Sequence, residues 1–372
     1  MRVVDVTQWF SPTSGGIRTY LRAKAQWAGS RGLAHAAVLT GPDAGEDLLG
    51  ASAVVRVRGR TPSARWGYRL APRPGPVLAA LDRLGPDVVV LHDPLAFPRA
   101  VARWARARGV AVAMYCHSDL ALGAAGLPAG LREAAGAVLG LVQRRALAAP
   151  SAVLVASRAS RERVAPHIGA TPVHLSPLGI DLAVFRAARP DPALRARLAT
   201  DGQALLLYAG RLSSEKRVDL LVPALAALRR PAVLAIAGSG AAEAGLRRAA
   251  RRAGVGERLL LLGHEPSRRR LAALMATADC FVHPNPAEPF GLCPLEALAA
   301  GCRVVAPDAA GTAELLAGRG AVLVAPGDGA ALAEGVERAL AAPPPWPHLD
   351  DLDWARTFEG EWRVYRELAA AA

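Results

Sequence analysis

Short apolar runs alternate with longer amphipathic stretches along most of the chain. Residues 3–7, 36–40, 53–57, 87–92, 110–116, 152–156 and 173–176 have the length and aliphatic content of strands buried on both faces. Helical spacing fills the intervals, most clearly at 17–29 and 131–147. Residues 177–202, with Pro190 and Pro192, break the pattern and are predicted as an interdomain linker. A second series of strands follows at 204–210, 233–238, 258–263, 279–283, 303–306 and 321–324. Helices are predicted between them at 218–228, 241–253, 267–276 and 294–300. The proline run at 341–347 stops the last unit, and 354–371 reads as a closing helix. Strand–helix alternation in two series predicts an α/β protein of two doubly wound parallel-sheet domains, with ligand at the carboxyl ends of the strands, in the cleft they face.

Composition narrows this. A chain of 372 residues suits two domains, and 52% hydrophobic with 21% charged residues excludes a disordered chain. No run of about 18 apolar residues predicts a membrane span, and the first residues read as a strand rather than a leader, so a cytoplasmic protein is expected. Cys116, Cys280, Cys293 and Cys302 are scattered, with no CxxC pair, which points to reduced thiols. The net charge of +13 is discounted as a sign of nucleic-acid binding. Lys24 and Lys216 are the only lysines among 45 basic residues, the arginines are spread along the whole length, and no aromatic-basic module accompanies them.

Candidate chemistry falls at predicted strand ends. The loop 11–17 carries Gly15 and Gly16 before a helix, where backbone amides can approach an anion. It lacks the GxGxxG spacing of a dinucleotide site. At 209–217, Arg211 and Lys216 flank a short loop and can grip a diphosphate from two sides. The segment 283–297 ends a strand at His283 and opens a helix predicted to start at Pro294. The amides of Gly291, Leu292 and Cys293, next to Phe290, would then point at phosphate. Glu288 can accept from sugar hydroxyls, and Glu296, expected in the first helical turn, from two ribose hydroxyls. His117 follows a buried strand and could bond a sugar or a departing phosphate. Gly238 and the pair Gly263, His264 could line the nucleotide pocket.

Together these segments resemble the GT-B glycosyltransferases of family GT4, a large retaining group. The resemblance runs from SPTSGGIRTYL through AGRLSSEKRVDLL to EPFGLCPLEALAAGCRVVAPDAAGTAELL. Glu288 and Glu296 meet the family's E-x7-E pattern, Arg211 and Lys216 its R-x4-K pattern, and Gly15 and Gly16 its amino-terminal glycine loop. His117 falls where the acceptor-side histidine is expected. Cys293 stands where the family has small or β-branched residues. The resemblance implies two Rossmann-like domains: 1–178 for acceptor, and 179–350 for a nucleotide sugar such as GDP-mannose or a UDP-hexose. Residues 351–372 would form a helix returning to the first domain. It implies front-face transfer with retention to a glycan, lipid-linked or small-molecule hydroxyl, with no cofactor and no metal. Catalysis would rest on His117, Arg211, Lys216 and Glu288. No DxD motif stands at a strand end. A silent sugar-nucleotide binder or scaffold subunit is a rival reading, as is a UDP-N-acetylglucosamine 2-epimerase, which would need an acid–histidine set not seen here. Arg56, Arg58, Arg60, Arg65, Arg69 and Arg73, with Trp104 among Arg103, Arg106 and Arg108, raise peripheral contact with an anionic membrane.

Overall fold

A computed structural model describes residues 1–11, 15–61, 68–117, 129–345 and 347–372. Two compact units emerge: 1–179 with 354–372, and 180–353.

The first unit runs β1 (Arg2–Thr7), α1 (Gly16–Ser30), β2 (Ala34–Gly41), β3 (Gly45–Leu49), β4 (Ser52–Arg58), α2 (Gly75–Leu84), β5 (Val88–Leu91), α3 (Pro98–Arg106), β6 (Ala111–Cys116), α4 (Ala129–Leu147), β7 (Ala152–Val155), α5 (Arg158–Ile168) and β8 (Val173–Leu175). Among the described residues the sheet order is β3-β4-β2-β1-β5-β6-β7-β8, parallel except for β3. The central strands are buried on both faces, which explains their unbroken apolar sequence. β3 was not predicted. Its GEDLL sequence is half exposed at the sheet edge, so no core-facing pattern marks it.

The second unit contains α6 (Leu182–Arg186), α7 (Pro192–Leu198), β9 (Ala204–Ala209), α8 (Leu221–Ala227), β10 (Ala232–Ala237), α9 (Glu243–Arg252), β11 (Leu259–Gly263), α10 (Arg268–Thr277), β12 (Cys280–Val282), α11 (Leu292–Ala299), β13 (Arg303–Pro307), α12 (Ala310–Leu316), β14 (Val322–Val324) and α13 (Gly329–Ala341). Its strands pair in the order β11-β10-β9-β12-β13-β14, all parallel. The order reverses between β9 and β12, the switch point where open sheets of this kind bind ligands.

Three expectations need correction. The expected linker 177–202 is structured: Asp181 caps α6, Asp191 caps α7 through the amides of Ala193 and Leu194, and Phe185 is fully buried. Trp104, expected on a basic surface, is turned inward. It is 7% exposed, and its Nε1 donates to Asp82. The helix expected over 218–228 begins as a 3-10 turn, because Arg217 ahead of it is left-handed at φ 50°.

The last helix, α14 (Trp354–Ala370), packs in the first unit. Thr357 Oγ1 donates to the Pro177 carbonyl, Phe358 meets Tyr20 and Trp27, and Trp362 meets Trp27 edge to face at 5.3 Å. Large aromatic rings buried in this way supply much of a helix's docking free energy, on the order of 2–3 kcal/mol each.

Candidate active site

In the second unit, β9 ends at Ala209 and delivers Gly210 and Arg211. β10 ends at Ala237 beside them. A β-carbon on Gly238 would lie 1.9 Å from the Gly210 carbonyl oxygen. The glycine there is demanded by two backbones touching, whatever else it contacts. Gly238 also bridges Gly263, and His264 next to it is exposed.

Arg211 is held by Glu215, Nη2 to Oε1 at 3.2 Å, and Glu215 also accepts from Ser213 Oγ at 2.7 Å. A 3-10 turn at Ser214–Lys216 then aims Lys216 at the loop after β12. Its Nζ lies 2.6 Å from Glu288 Oε2, which also accepts from Asn285 Nδ2 at 2.9 Å. The chemistry-bearing residues of the two loops therefore meet, although 72 positions separate them. Burial alone would raise the Glu288 carboxyl. The Lys216 ammonium, the neighbouring His283 and the two hydrogen bonds outweigh it and bring the pKa down to about 2. His283 is 5% exposed and its Nε2 has no partner. Burial is the main reason its pKa falls to about 4.

These two shifts act on stability in one direction. A histidine with a lowered folded pKa contributes fully above about 6.5 and loses that contribution as pH falls towards 4. Glu288 contributes above about 4.5 and loses it towards 2. The melting temperature is therefore expected to be level above pH 6.5 and to fall below it. In His283→Asn the first limb should shrink to the share left by His117. An unchanged limb in calorimetry would show that His283 is not its source.

The helix after this loop starts earlier than predicted. α11 begins at Leu292, with Gly291 as N-cap at φ 89°, a left-handed conformation that suits glycine. A β-carbon there would also lie 2.7 Å from Thr312 Oγ1. Pro294 thus sits third in the helix, still among the residues whose amides have no intrahelical acceptor. The Leu292 and Cys293 amides remain in the first turn, Phe290 is buried beneath them, and Glu296 moves to the second turn. Burial pushes the Cys293 thiol up to about 12, so it is no nucleophile at neutral pH.

Glu296 is 1% exposed, and Arg268 Nη2 donates to its Oε1 at 2.6 Å. Oε2 has no partner among the described residues. Both oxygens are thus out of solvent, and each keeps acceptor capacity beyond the Arg268 contact. Arg268 was not predicted. It stands in a run of three arginines at the start of α10 and is held flat against Phe185, 4.7 Å from the ring centre.

In the first unit, Gly16 opens α1 and Gly15 precedes it, both exposed. The loop residues 12–14 lie outside the described residues. His117 follows β6 and stacks on Tyr115, ring centres 4.3 Å apart, and its Nε2 is 2.9 Å from His92 Nδ1. Burial, then the nearby His92 and Lys24, hold His117 well below the ordinary histidine range. Behind it lies a buried polar network that was not anticipated. Lys24 donates to Asp5, Tyr20 and Tyr365, and Glu361 of α14 accepts from both tyrosines and from Ser176. Its signals were in the sequence: an acid inside the first apolar run, and one of only two lysines.

Comparison with known proteins accords with this geometry. The family profile "Glycosyltransferase Family 4" matches residues 14–184, and "Glycosyl transferases group 1" matches 191–352. A GDP-mannose-dependent alpha-(1-6)-phosphatidylinositol dimannoside mannosyltransferase of Mycobacterium tuberculosis is 36% identical over 85% of this chain and 82% of its own. A GDP-mannose-dependent alpha-mannosyltransferase of Mycolicibacterium smegmatis is 29% identical over the same shares, 85% and 82%. Among solved structures, sucrose-phosphate synthase from Thermosynechococcus elongatus superposes with a TM-score of 0.81 at 21% identity, over 100% of both chains, which shows a common fold. By identity and coverage, then, the chain belongs to family GT4 of the GT-B glycosyltransferases, enzymes that move a hexosyl unit from a nucleotide sugar.

Proposed function

We propose that the enzyme takes mannose from GDP-mannose and passes it, with retention at C1 and without a metal ion, to a hydroxyl of a lipid-linked acceptor. The observation that carries this reading is the Lys216–Glu288 contact at 2.6 Å. It joins a cation suited to phosphate and a carboxylate suited to sugar hydroxyls at one point, which supports a donor bound with C1 and its leaving oxygen near that contact. The mannose donor and lipid acceptor rest on likeness to the mycobacterial phosphatidylinositol dimannoside mannosyltransferase.

The second unit is the donor half in this reading. Arg211, Lys216 and the Gly291, Leu292 and Cys293 amides take the diphosphate, and Glu296 takes the two ribose hydroxyls. In the free protein Glu215 and Glu288 hold the two cations in place. The acceptor oxygen bonds to C1 on the face from which the phosphate oxygen departs, and a leaving-phosphate oxygen takes the acceptor proton. Positive charge for the departing diphosphate comes from protein groups, which is why no metal is invoked. The first unit's share is the acceptor, while its Gly15 and Gly16 are candidate amide contacts for the donor's diphosphate and His117 a candidate contact for the sugar.

Peripheral binding to an anionic membrane, on its cytoplasmic face, completes the proposal. α4 exposes Leu131, Val138 and Leu141 along one face, with Arg144 and Arg145 exposed at its end. Arg65 of the basic cluster lies outside the described residues, and Arg56 is paired with Asp47. Transfer should proceed from GDP-mannose in EDTA, give an α-linked product, and be faster with acceptor in phosphatidylglycerol vesicles that also pellet the enzyme at low salt. Turnover with UDP-hexoses alone would remove the donor assignment, abolition by EDTA the metal-free mechanism, and no pelleting the membrane role. Donor binding without transfer to any acceptor would favour a silent binder.

A further inference from the structure

The buried network behind His117 has a chemical consequence for the ring it touches. His117 Nε2 and His92 Nδ1 are 2.9 Å apart, so one nitrogen must carry a proton and the other a lone pair. The far side of His92 decides which. Its Nε2 lies 3.1 Å from Asp5 Oδ1, and both side chains are fully buried. The approach is electrostatic rather than a well-directed hydrogen bond, since the nitrogen meets no hydrogen-bond geometry there. A bare lone pair at that distance from a carboxylate oxygen would be repelled, so the His92 proton belongs on Nε2. Asp5 is ionised. Burial pushes its carboxyl up, but the Lys24 ammonium, the nearby His92 and a hydrogen bond from His35 overcome that and hold it well below the carboxylate range.

A doubly protonated His92 is opposed by Lys24, whose Nζ is 2.8 Å from the same Asp5 oxygen that His92 faces. A second full positive charge there would be buried beside the first, while the other buried carboxylate, Glu361, faces Lys24 and accepts from Tyr20, Tyr365 and Ser176 rather than from His92. His35 occupies the other carboxylate oxygen, Oδ2, at 2.7 Å. With its proton on Nε2, His92 offers a bare Nδ1, which accepts from His117 Nε2–H. The remaining nitrogen of His117, Nδ1, has no partner among the described residues.

We propose that Lys24, Asp5 and His92 are positioning residues that fix His117 as the Nε2–H tautomer, so that the ring presents Nδ1 as a hydrogen-bond acceptor. The inference deepens the reading of His117 given above and rests on it for the identity of the ligand. A bare nitrogen takes a hydroxyl proton and repels a phosphate oxygen, so the ring recognises a sugar hydroxyl and not the departing diphosphate. Tyr20 and Tyr115, packed edge-on and stacked against the ring, hold its plane.

The test is nitrogen NMR on the full chain labelled with 15N-histidine, with His117 assigned by loss of its signals in His117→Asn. The expected spectrum has a protonated Nε2 and a bare Nδ1 from pH 6 to 8. In His92→Phe the two tautomers should mix and kcat/KM should fall about 10-fold, one hydrogen bond's worth. His92→Gln, whose amide oxygen can accept from Nε2–H, should restore most of both. A wild-type ring protonated at Nδ1, or a tautomer unchanged in His92→Phe, would overturn the proposal. If His92→Phe fails to fold, the wild-type spectrum decides alone. The spectrum needs no turnover, so a protein that transferred nothing would sink the functional reading and leave this one standing.

Discussion

Lys216→Ala is expected to lower kcat/KM for transfer by about 10²–10³-fold, the usual loss when one charged stabiliser of a departing oxyanion is removed. The argument starts from geometry. Lys216 Nζ is held at 2.6 Å by Glu288, which Asn285 orients, so the ammonium reaches the site already placed. Lys216→Arg should be nearly as inactive, because a planar fork does not fill the place of a compact ammonium held between two loops. The contrast matters in a chain with two lysines among 45 basic residues. Stability should change far less than activity. The pair is partly open to solvent, with side chains 23% and 17% exposed, and Asn285 continues to satisfy Glu288. Glu288→Gln should keep the Asn285 contact and lose the ion pair, so it tests whether the carboxylate charge is needed once donor is bound. Full transfer activity in Lys216→Ala would show that the diphosphate is stabilised elsewhere.

What the sequence made legible follows from how each feature is encoded. The parallel strands were plain because burial on both faces writes an unbroken apolar run, as in VVVL at β5 and AVLAIA at β10. The edge strand β3 was hidden because an exposed strand need not carry that pattern. Arg211, Lys216, Glu288 and Glu296 were found through their spacing, and Lys216 and Glu288 do come together in space. That Lys216 would pair with Glu288, and Glu296 with Arg268, was not foreseen, since pairing between distant segments depends on strand order and not on spacing. Gly291 as a helix cap was missed in favour of Pro294, because proline marks a helix start by a local rule. The left-handed cap at Gly291 is imposed by the loop before it and by Thr312 packed against its α-carbon. Arg268 was lost among neighbouring arginines: a biased composition hides which of them pairs with a buried carboxylate.

Lys24→Met is expected to cost about 3–5 kcal/mol of stability, as removal of one partner of a buried ion pair does, and to lower the melting temperature by about 10 °C. Lys24, Asp5 and Glu361 are all fully buried, and the single ammonium lies 2.8 Å from one carboxylate and 3.6 Å from the other. Methionine fills much of the volume, so the loss is of charge rather than of packing. Asp5 keeps His35, and Glu361 keeps its tyrosines, but neither replaces a full positive charge. Direction with pH separates this account from a packing defect. In wild type Asp5 is held well below its ordinary pKa, so its contribution is present at neutral pH and lost in acid. Without Lys24 the buried carboxyls protonate at higher pH, and the gap between variant and wild type should begin to close above pH 4. A simple cavity would leave the gap constant. Glu361→Gln added to Lys24→Met should recover part of the loss by removing one of the two uncompensated charges. Because Glu361 belongs to α14, the single variant should also expose that helix to protease. A Lys24→Met protein as stable as wild type at pH 7 would mean that His35 and the tyrosine hydroxyls, and not the ammonium, hold the two carboxylates.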